Sequence, residues 1–214
     1  MSRRTHAKPP NALARRHIPR LDVNPAHPEP HKIRQAAALL ESGRVVVYPT
    51  DTIYGLGADS DSRVAIDRLY ALRKLDPNKP LSLICRSLSD VGQYAIMSNE
   101  CHRFMRRHLP GPYTFILPGK SRRRAIGVRV PDSPVALALI DALGRPIMST
   151  SAIFDGEATS DPIVLVETLD PQVVGLVLDA GLLAGVPLTV IDWTEEDPQV
   201  VREGAGDVSD LGAP

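Results

Sequence analysis

The sequence predicts one α/β domain built on a mixed sheet. Two patterns carry this expectation. Short β-branched runs bounded by Pro, Gly or polar residues recur along the chain, and segments with helical apolar spacing and capping residues stand between them. The third observation is size: 214 residues, 43% of them apolar, are ample for a hydrophobic core without disulfide or metal staples.

Residues 1–30 carry six prolines and six Lys/Arg with no apolar periodicity, so this segment is expected to be a disordered basic tail. It reads either as a plain terminus or as an electrostatic arm for RNA. No apolar stretch follows its arginines, so no secretory signal is expected. From His31, the spacing of Ile33, Ala36, Ala37, Leu39 and Leu40 predicts a helix stopped by Gly43. Arg44–Tyr48 is a buried-strand pattern closed by Pro49. Ser62 can cap a helix through Val64, Ile66, Leu69, Tyr70 and Leu72. A polar loop, Lys74 to Lys79, leads to a strand at Leu81–Cys85. Ser87 and Asp90 have capping-box spacing, and a further helix holds Cys101, Phe104, Met105 and Leu109 up to Pro110-Gly111. Strands are expected at Tyr113–Leu117 and Ile126–Val130, flanking Arg122, Arg123 and Arg124. Ser133-Pro134 opens a helix that Gly144 ends. Strand patterns recur at Ile147–Thr150, Val173–Leu178, Leu188–Asp192 and Gln199–Arg202.

Composition excludes several classes. The longest apolar runs, such as Val135–Ile140, are too short to span a bilayer, and a cytoplasmic location is expected. Two cysteines, Cys85 and Cys101, cannot form a disulfide framework or a Cys-rich zinc site. The formal net charge is zero, yet its distribution is uneven: +4 over 1–30, −1 over 31–62, +10 over 63–129 and −13 over 130–214. Either these charges intermix on the folded surface or the middle segment builds a basic face opposed by an acidic one.

The common catalytic signatures, including phosphate-loop, dinucleotide and zinc-protease motifs, are absent. His6, His17, His27 and His31 lie in or beside the tail, and His102 and His108 on a basic helix, which leaves little for His-based chemistry. What remains is a set of hydroxyl and Arg positions after apolar strands. Pro49–Gly57 offers hydroxyls and two glycines, and equally reads as a strand–turn–strand connection. Thr114 follows Gly111-Pro112, and Ser149 and Ser151 end a strand, where open α/β sheets collect ligands. Arg129 stands in an apolar strand and needs a partner, either an internal carboxylate or a ligand phosphate. These sites suggest one shared pocket.

The blocks P-T-D-T-x-Y-G-L-G (Pro49–Gly57), G-P-x-T (Gly111–Thr114), V-R-V-P (Val128–Pro131), S-x-S (Ser149–Ser151), T-V-I-D (Thr189–Asp192) and R-x-G (Arg202–Gly204) resemble the YrdC-like domain family, from about His31 to Asp207. The resemblance implies a single YrdC-like domain over 31–208, with a twisted mixed sheet, flanking helices, a basic concave surface and a C-terminal tail over 209–214. It further implies L-threonylcarbamoyladenylate synthesis from L-threonine, bicarbonate and ATP, on the route to threonylcarbamoyladenosine in tRNA, or double-stranded RNA binding. Mg²⁺ would then arrive only with ATP, without a dedicated metal site. By match, Thr52 and Arg73 are the candidate catalytic residues. Thr114, Arg129, Ser149, Ser151 and Arg202 are the candidate nucleotide or substrate ligands. Lys74, Lys79, Arg122, Arg123 and Arg124 are candidate RNA contacts.

The synthase pattern K-x-R-P reads Arg73-Lys74-Leu75-Asp76 here, S-x-N reads Ser151-Ala152-Ile153, and the serine before T-V-x-D is Leu188. These departures resemble the YciO branch. They imply a protein that binds adenine nucleotide and tRNA or double-stranded RNA with weakened synthesis. An active synthase and a non-enzymatic RNA-binding module are the alternatives.

Overall fold

A computed structural model describes residues 17–76, 80–121 and 125–211. In chain order the elements are β1 (Arg20–Asp22), α1 (Pro30–Glu41), β2 (Val45–Tyr48), β3 (Gly55–Asp59), α2 (Arg63–Arg73), β4 (Ser82–Ile84), α3 (Leu88–Tyr94) and α4 (Asn99–His108). They continue with β5 (Tyr113–Pro118), β6 (Ala125–Arg129), α5 (Pro134–Leu143), β7 (Ile147–Ser151), β8 (Ile153–Phe154), β9 (Glu157–Ala158), α6 (Pro162–Thr168), β10 (Val174–Asp179), β11 (Thr189–Asp192) and β12 (Gln199–Arg202). Serines expected at helix starts do cap them: Ser62 Oγ accepts from Ala65 N, Ser87 from Asp90 N and Ser133 from Ala136 N.

Ten strands form one mixed sheet in the order β1-β10-β2-β3-β7-β4-β6-β5-β11-β12, and β8 with β9 forms a separate hairpin. β1, β10 and β2 run parallel, as do β4 with β6 and β5 with β11; the remaining pairs are antiparallel. The period-2 alternation of strand side chains divides the core into two. Val46 and Tyr48 face one side, with Ile84, Ile147 and the apolar stripes of α1 and α5. Val45 and Val47 face the other, with Leu83, Phe115, Val128 and the apolar residues of α2 and α4. A strand covered on both sides reads as a continuous apolar run, which is why β2 is legible in the sequence.

Residues 17–30 depart from the expected disordered tail. Ile18 is buried, Arg20–Asp22 pair in parallel with Val177–Asp179, and Arg20 meets the Asp179 carboxylate at 3.1 Å. The segment has no periodicity of its own; the open edge of β10 supplies the pairing. Residues 1–16 lie outside the described residues. The C-terminal tail likewise starts later than 209, because Leu211 packs on the core and Asp210 pairs with Arg107 at 3.0 Å. Both cysteines are free and buried. No helix among the described residues is long and apolar enough to cross a membrane.

Among the described residues, the cations of the +10 segment do not form one face. Cys101, Phe104 and Met105 anchor α4 on the side of the sheet that carries Phe115, so Arg103, Arg106 and Arg107 project from that side. Arg129 belongs to the opposite side, described below, because its neighbours Val128 and Val130 face the α4 side. Several cations are also paired with acids, as in Arg63–Asp67 and Arg86–Asp141.

One ion pair gives the fold an acid limit. Arg145 Nε and Nη2 bind the two oxygens of buried Asp59 at 2.7 and 2.5 Å, and this pairing holds the Asp59 carboxyl below its usual range despite burial. A depressed carboxylate stabilises the fold above its unfolded pKa, and that stability is lost as pH falls through the folded value. Acid titration of unfolding free energy should therefore show a decline below about pH 4 that flattens in Asp59→Asn. An unchanged acid limb in that variant would contradict this assignment.

Candidate functional site

The helices α1 and α5 cover one end of their sheet face, near β10, β2 and β3. The same face continues over β7, β4, β6, β5, β11 and β12, and a cavity of about 570 Å³ lies on it. Register explains which residues form its floor. Ser149 pairs with Ser82, Ser82 with Gly127 and Gly127 with Ile116, so alternate residues of four neighbouring strands look into one space. Their sequence neighbours Leu83, Val128 and Phe115 face the opposite core. The strand-end placement expected from open α/β sheets is therefore corrected: the cavity lies across a sheet face, because among the described residues no helix spans it.

A narrow inner recess of about 20 Å³ continues from this cavity, and Ser82, Thr114, Ser149, Ser151 and Leu188 line both. Arg129 stands in the recess, 4% exposed. Its Nη2 donates to Thr50 Oγ1 at 3.2 Å, to Thr52 Oγ1 at 3.1 Å and to the Asp51 carboxylate. The internal carboxylate is thus Asp51, on the β2–β3 loop. Arg129 Nε, Thr114 Oγ1 and Asp51 Oδ2 are buried with no partner. Buried polar atoms without partners in a cavity are the groups a ligand would satisfy.

Tyr48 supports the floor. Its hydroxyl donates to Ser149 Oγ at 2.7 Å, and Ser149 Oγ donates to Leu56 O at 3.1 Å. Burial pushes the Tyr48 phenol up to about 12, so it remains a donor at neutral pH. The ring passes directly over β3: a Cβ at Gly55 would lie 2.8 Å from it and one at Gly57 2.9 Å. The glycines of P-T-D-T-x-Y-G-L-G are explained by this close approach.

Two further arginines line the cavity. Arg202 Nε donates to Leu188 O at 3.0 Å, and burial together with the nearby Arg129 charge lowers its pKa. Arg73 lies with its guanidinium 4.6 Å from the centroid of Phe154, and burial lowers its pKa against the opposing pull of Asp155. Arg73 Nε is also buried without a partner.

Of the residues singled out in the sequence, the cavity and its recess bring together Arg73, Thr114, Arg129, Ser149, Ser151 and Arg202. Thr52 does not line either; it is buried behind Arg129 and holds it, so its expected place in the pocket is corrected. Lys74 is exposed at the left-handed C-terminal cap of α2 and does not line the cavity. Lys79, Arg122, Arg123 and Arg124 lie outside the described residues. Leu75, Ile153 and Leu188 all line the cavity. Sequence reasoning missed Asp51, Tyr48 and Ser82. Asp51 had a signal, since it sits between two hydroxyls in a turn, but nothing local links it to an arginine 78 residues away.

These observations define an α/β domain with an arginine-lined cleft on an open sheet face. The chain belongs to the Sua5/YciO/YrdC family: the family model Sua5_yciO_yrdC, described as "Telomere recombination", matches residues 38–204. It is similar to the uncharacterized protein YciO of Escherichia coli (strain K12), with 40% identity over 87% of this chain and 95% of that one. The crystal structure of E. coli YciO covers 91% of this chain and 99% of its own, with a TM-score of 0.86 and 38% identity. The threonylcarbamoyl-AMP synthase of Bacillus subtilis (strain 168) is 32% identical over 81% of this chain and 53% of its own length. P. abyssi Sua5 complexed with L-threonine covers 86% of this chain at 30% identity and a TM-score of 0.79, and this chain spans 57% of that one.

Proposed function

We propose that the cleft binds an adenine nucleotide by its phosphate, and that the protein serves threonylcarbamoyladenosine metabolism of tRNA as a nucleotide- and RNA-binding member of the family with weakened synthase chemistry. The observation that carries this reading is that Thr114 joins the recess of Arg129 to the cavity lined by Arg202, with Arg129 Nε and Thr114 Oγ1 buried and unpartnered. A guanidinium fork matches phosphate, and Thr114 Oγ1 adds a neutral donor. Asp51, Thr50 and Thr52 hold Arg129 in place before the ligand arrives, so little reorganisation is needed on binding.

The walls support the weakened synthesis. Leu75, Ile153 and Leu188 offer neither charge nor hydrogen bond where the synthase pattern carries Arg, Asn and Ser. A missing donor at a centre where charge develops costs about 10²–10³ in rate.

Calorimetry of the full chain with AMP and ATP tests the nucleotide part, with saturable binding expected and absence of binding at millimolar nucleotide contradicting it. A tRNA or duplex titration at two salt concentrations tests the RNA part; affinity should fall steeply as salt rises. No RNA binding at low salt would contradict that part. Threonine-dependent pyrophosphate release from ATP at the rate of a full synthase would contradict the weakened chemistry.

A further inference from the structure

The recess around Arg129 is too small for a phosphate. Its volume of about 20 Å³ gives room for about one water molecule, and a phosphate group is several times larger. One wall must retreat before Arg129 Nε and Thr114 Oγ1 can reach such a group.

The lining identifies that wall. Apart from Tyr54 and Leu188, every residue around the recess belongs to one of the strands β2 to β7, each of which is paired on both sides within the sheet. Tyr54 and Leu188 stand outside the strands, and they mark the two ends of one segment. Residues 180–188 connect β10 to β11 without helix or strand. At the first end, the Tyr54 hydroxyl donates to Gly181 O at 2.8 Å and accepts from Ala180 N at 3.0 Å. At the second, Pro187 O accepts from Ala205 N at 2.9 Å and Leu188 O from Arg202 Nε at 3.0 Å. β3, which follows Tyr54, and β11, which follows Leu188, are five steps apart in the sheet order, about 24 Å along the sheet. Both residues nevertheless line one small recess, so the sheet curls and the segment is a strap joining its two sides.

Between its ends the strap is weakly held. From Leu182 to Val186, among the described residues, its one backbone hydrogen bond runs from Leu183 N to Ser160 O at 3.2 Å. Leu182, Ala184 and Val186 are exposed, and Gly181 and Gly185 have φ values of +82° and +77°. A segment with few backbone bonds and few buried apolar contacts belongs to the low-stability end of local opening.

We propose that the strap over 180–188 is a gate on the Arg129 recess and that Tyr54 is its latch, so that a phosphate enters only when the Tyr54–Gly181 contact is broken. The inference rests on the nucleotide reading of the recess and adds how access to it is controlled. Tyr54 acts through the strap, as a positioning residue.

A ligand that binds only the open form has its apparent affinity lowered by the fraction of open form. Removing the latch raises that fraction. Tyr54→Phe should therefore bind AMP about tenfold more tightly than wild type, the size expected for a hydroxyl that makes two hydrogen bonds. N-methylanthraniloyl-AMP should associate faster by the same factor in stopped-flow mixing. A residue that only supported the fold would shift affinity the other way.

A reversible lock tests the same motion without touching Tyr54. A Cβ at Gly185 would lie 3.9 Å from Ser160 Cβ, which suits a disulfide. In Ser160→Cys/Gly185→Cys the left-handed position strains the chain whether or not the bond has formed, so the oxidised and reduced forms of one variant are compared. Calorimetry should find saturable AMP binding to the reduced form and at least tenfold weaker binding to the oxidised form. In nucleotide-free wild type, the Leu183 amide should exchange with solvent at least about a hundredfold faster than that of Val177, which donates to Pro19 O at 2.9 Å.

Equal AMP affinity in the oxidised and reduced forms would overturn the inference while leaving the nucleotide reading intact. So would a Tyr54→Phe variant that binds AMP no more tightly than wild type, or a Leu183 amide as protected as that of Val177. AMP binding to none of these proteins, wild type included, would overturn the nucleotide reading and this inference with it.

Discussion

Arg129→Ala is expected to abolish nucleotide binding and to lower unfolding stability by about 3–5 kcal/mol. The two losses have different origins. Binding is lost because the guanidinium whose Nε points unpaired into the recess is gone. Stability is lost because Asp51, only 11% exposed at its side chain, is left without the cation that faces it. Thr50 and Thr52 hydroxyls can rotate toward the stranded carboxylate, but neutral donors recover only part of the deficit. A second substitution separates the effects. Removing the orphaned acid in Arg129→Ala/Asp51→Ala should restore much of the stability without restoring binding, since replacing both members of a buried pair costs less than breaking it. Urea unfolding of both variants, with AMP calorimetry, measures this. A single variant within about 1 kcal/mol of the parent would mean that the pair is effectively solvated.

Gly204→Ala should be the most damaging small substitution on the opposite wall. A Cβ there would stand 2.2 Å from Pro187 O and 2.6 Å from the Leu188 carbonyl, and these are backbone atoms that cannot rotate away. The buried Thr189 hydroxyl draws the two stretches together, accepting from Gly204 N at 3.0 Å and Gly206 N at 2.9 Å and donating to Gly206 O at 2.8 Å. Forcing them apart costs about 1–3 kcal/mol as overpacking. It also moves Leu188 O, the group that holds Arg202 Nε over the cavity. Nucleotide affinity should therefore fall about tenfold, the size of one lost charge-assisted hydrogen bond. Unchanged affinity with reduced stability would show that Arg202 does not hold the ligand. R-x-G thereby acquires a physical meaning: the glycine permits the approach that aims the arginine.

Much of this architecture is written in local signals. Ser62, Ser87 and Ser133 each cap the helix expected after them, and the β2 run reads as a strand because both its faces are buried. The β8–β9 hairpin carried a turn signal in Asp155-Gly156, whose φ values are +51° and +87°, but its two-residue strands show no usable alternation. β1 left no trace, since a three-residue edge strand in a proline-rich segment takes its structure from the edge it joins. Charge was the least transferable signal. A sum over 63–129 cannot tell that the apolar residues of α4 turn its arginines to one side of the sheet while Arg129 faces the other.

The candidate site was legible as residue types and order, not as geometry. An arginine in an apolar strand announces that it needs a partner, and the choice between a carboxylate and a phosphate stayed open in the sequence. In the structure Asp51 takes one nitrogen of Arg129 and leaves another unpaired. Sheet register, which sequence patterns do not encode across 78 residues, decides that arrangement.

The proposed phosphate site of Arg129, Arg202 and Thr114 on the open sheet face is tested by a crystal structure of the full chain with AMP. The phosphate is expected within hydrogen-bonding distance of Arg129 Nε and Thr114 Oγ1, with Arg202 on the same group and Asp51 still on Arg129 Nη2. AMP held elsewhere, for instance by the arginines of α4, with Arg129 and Thr114 still unpaired, would contradict the account.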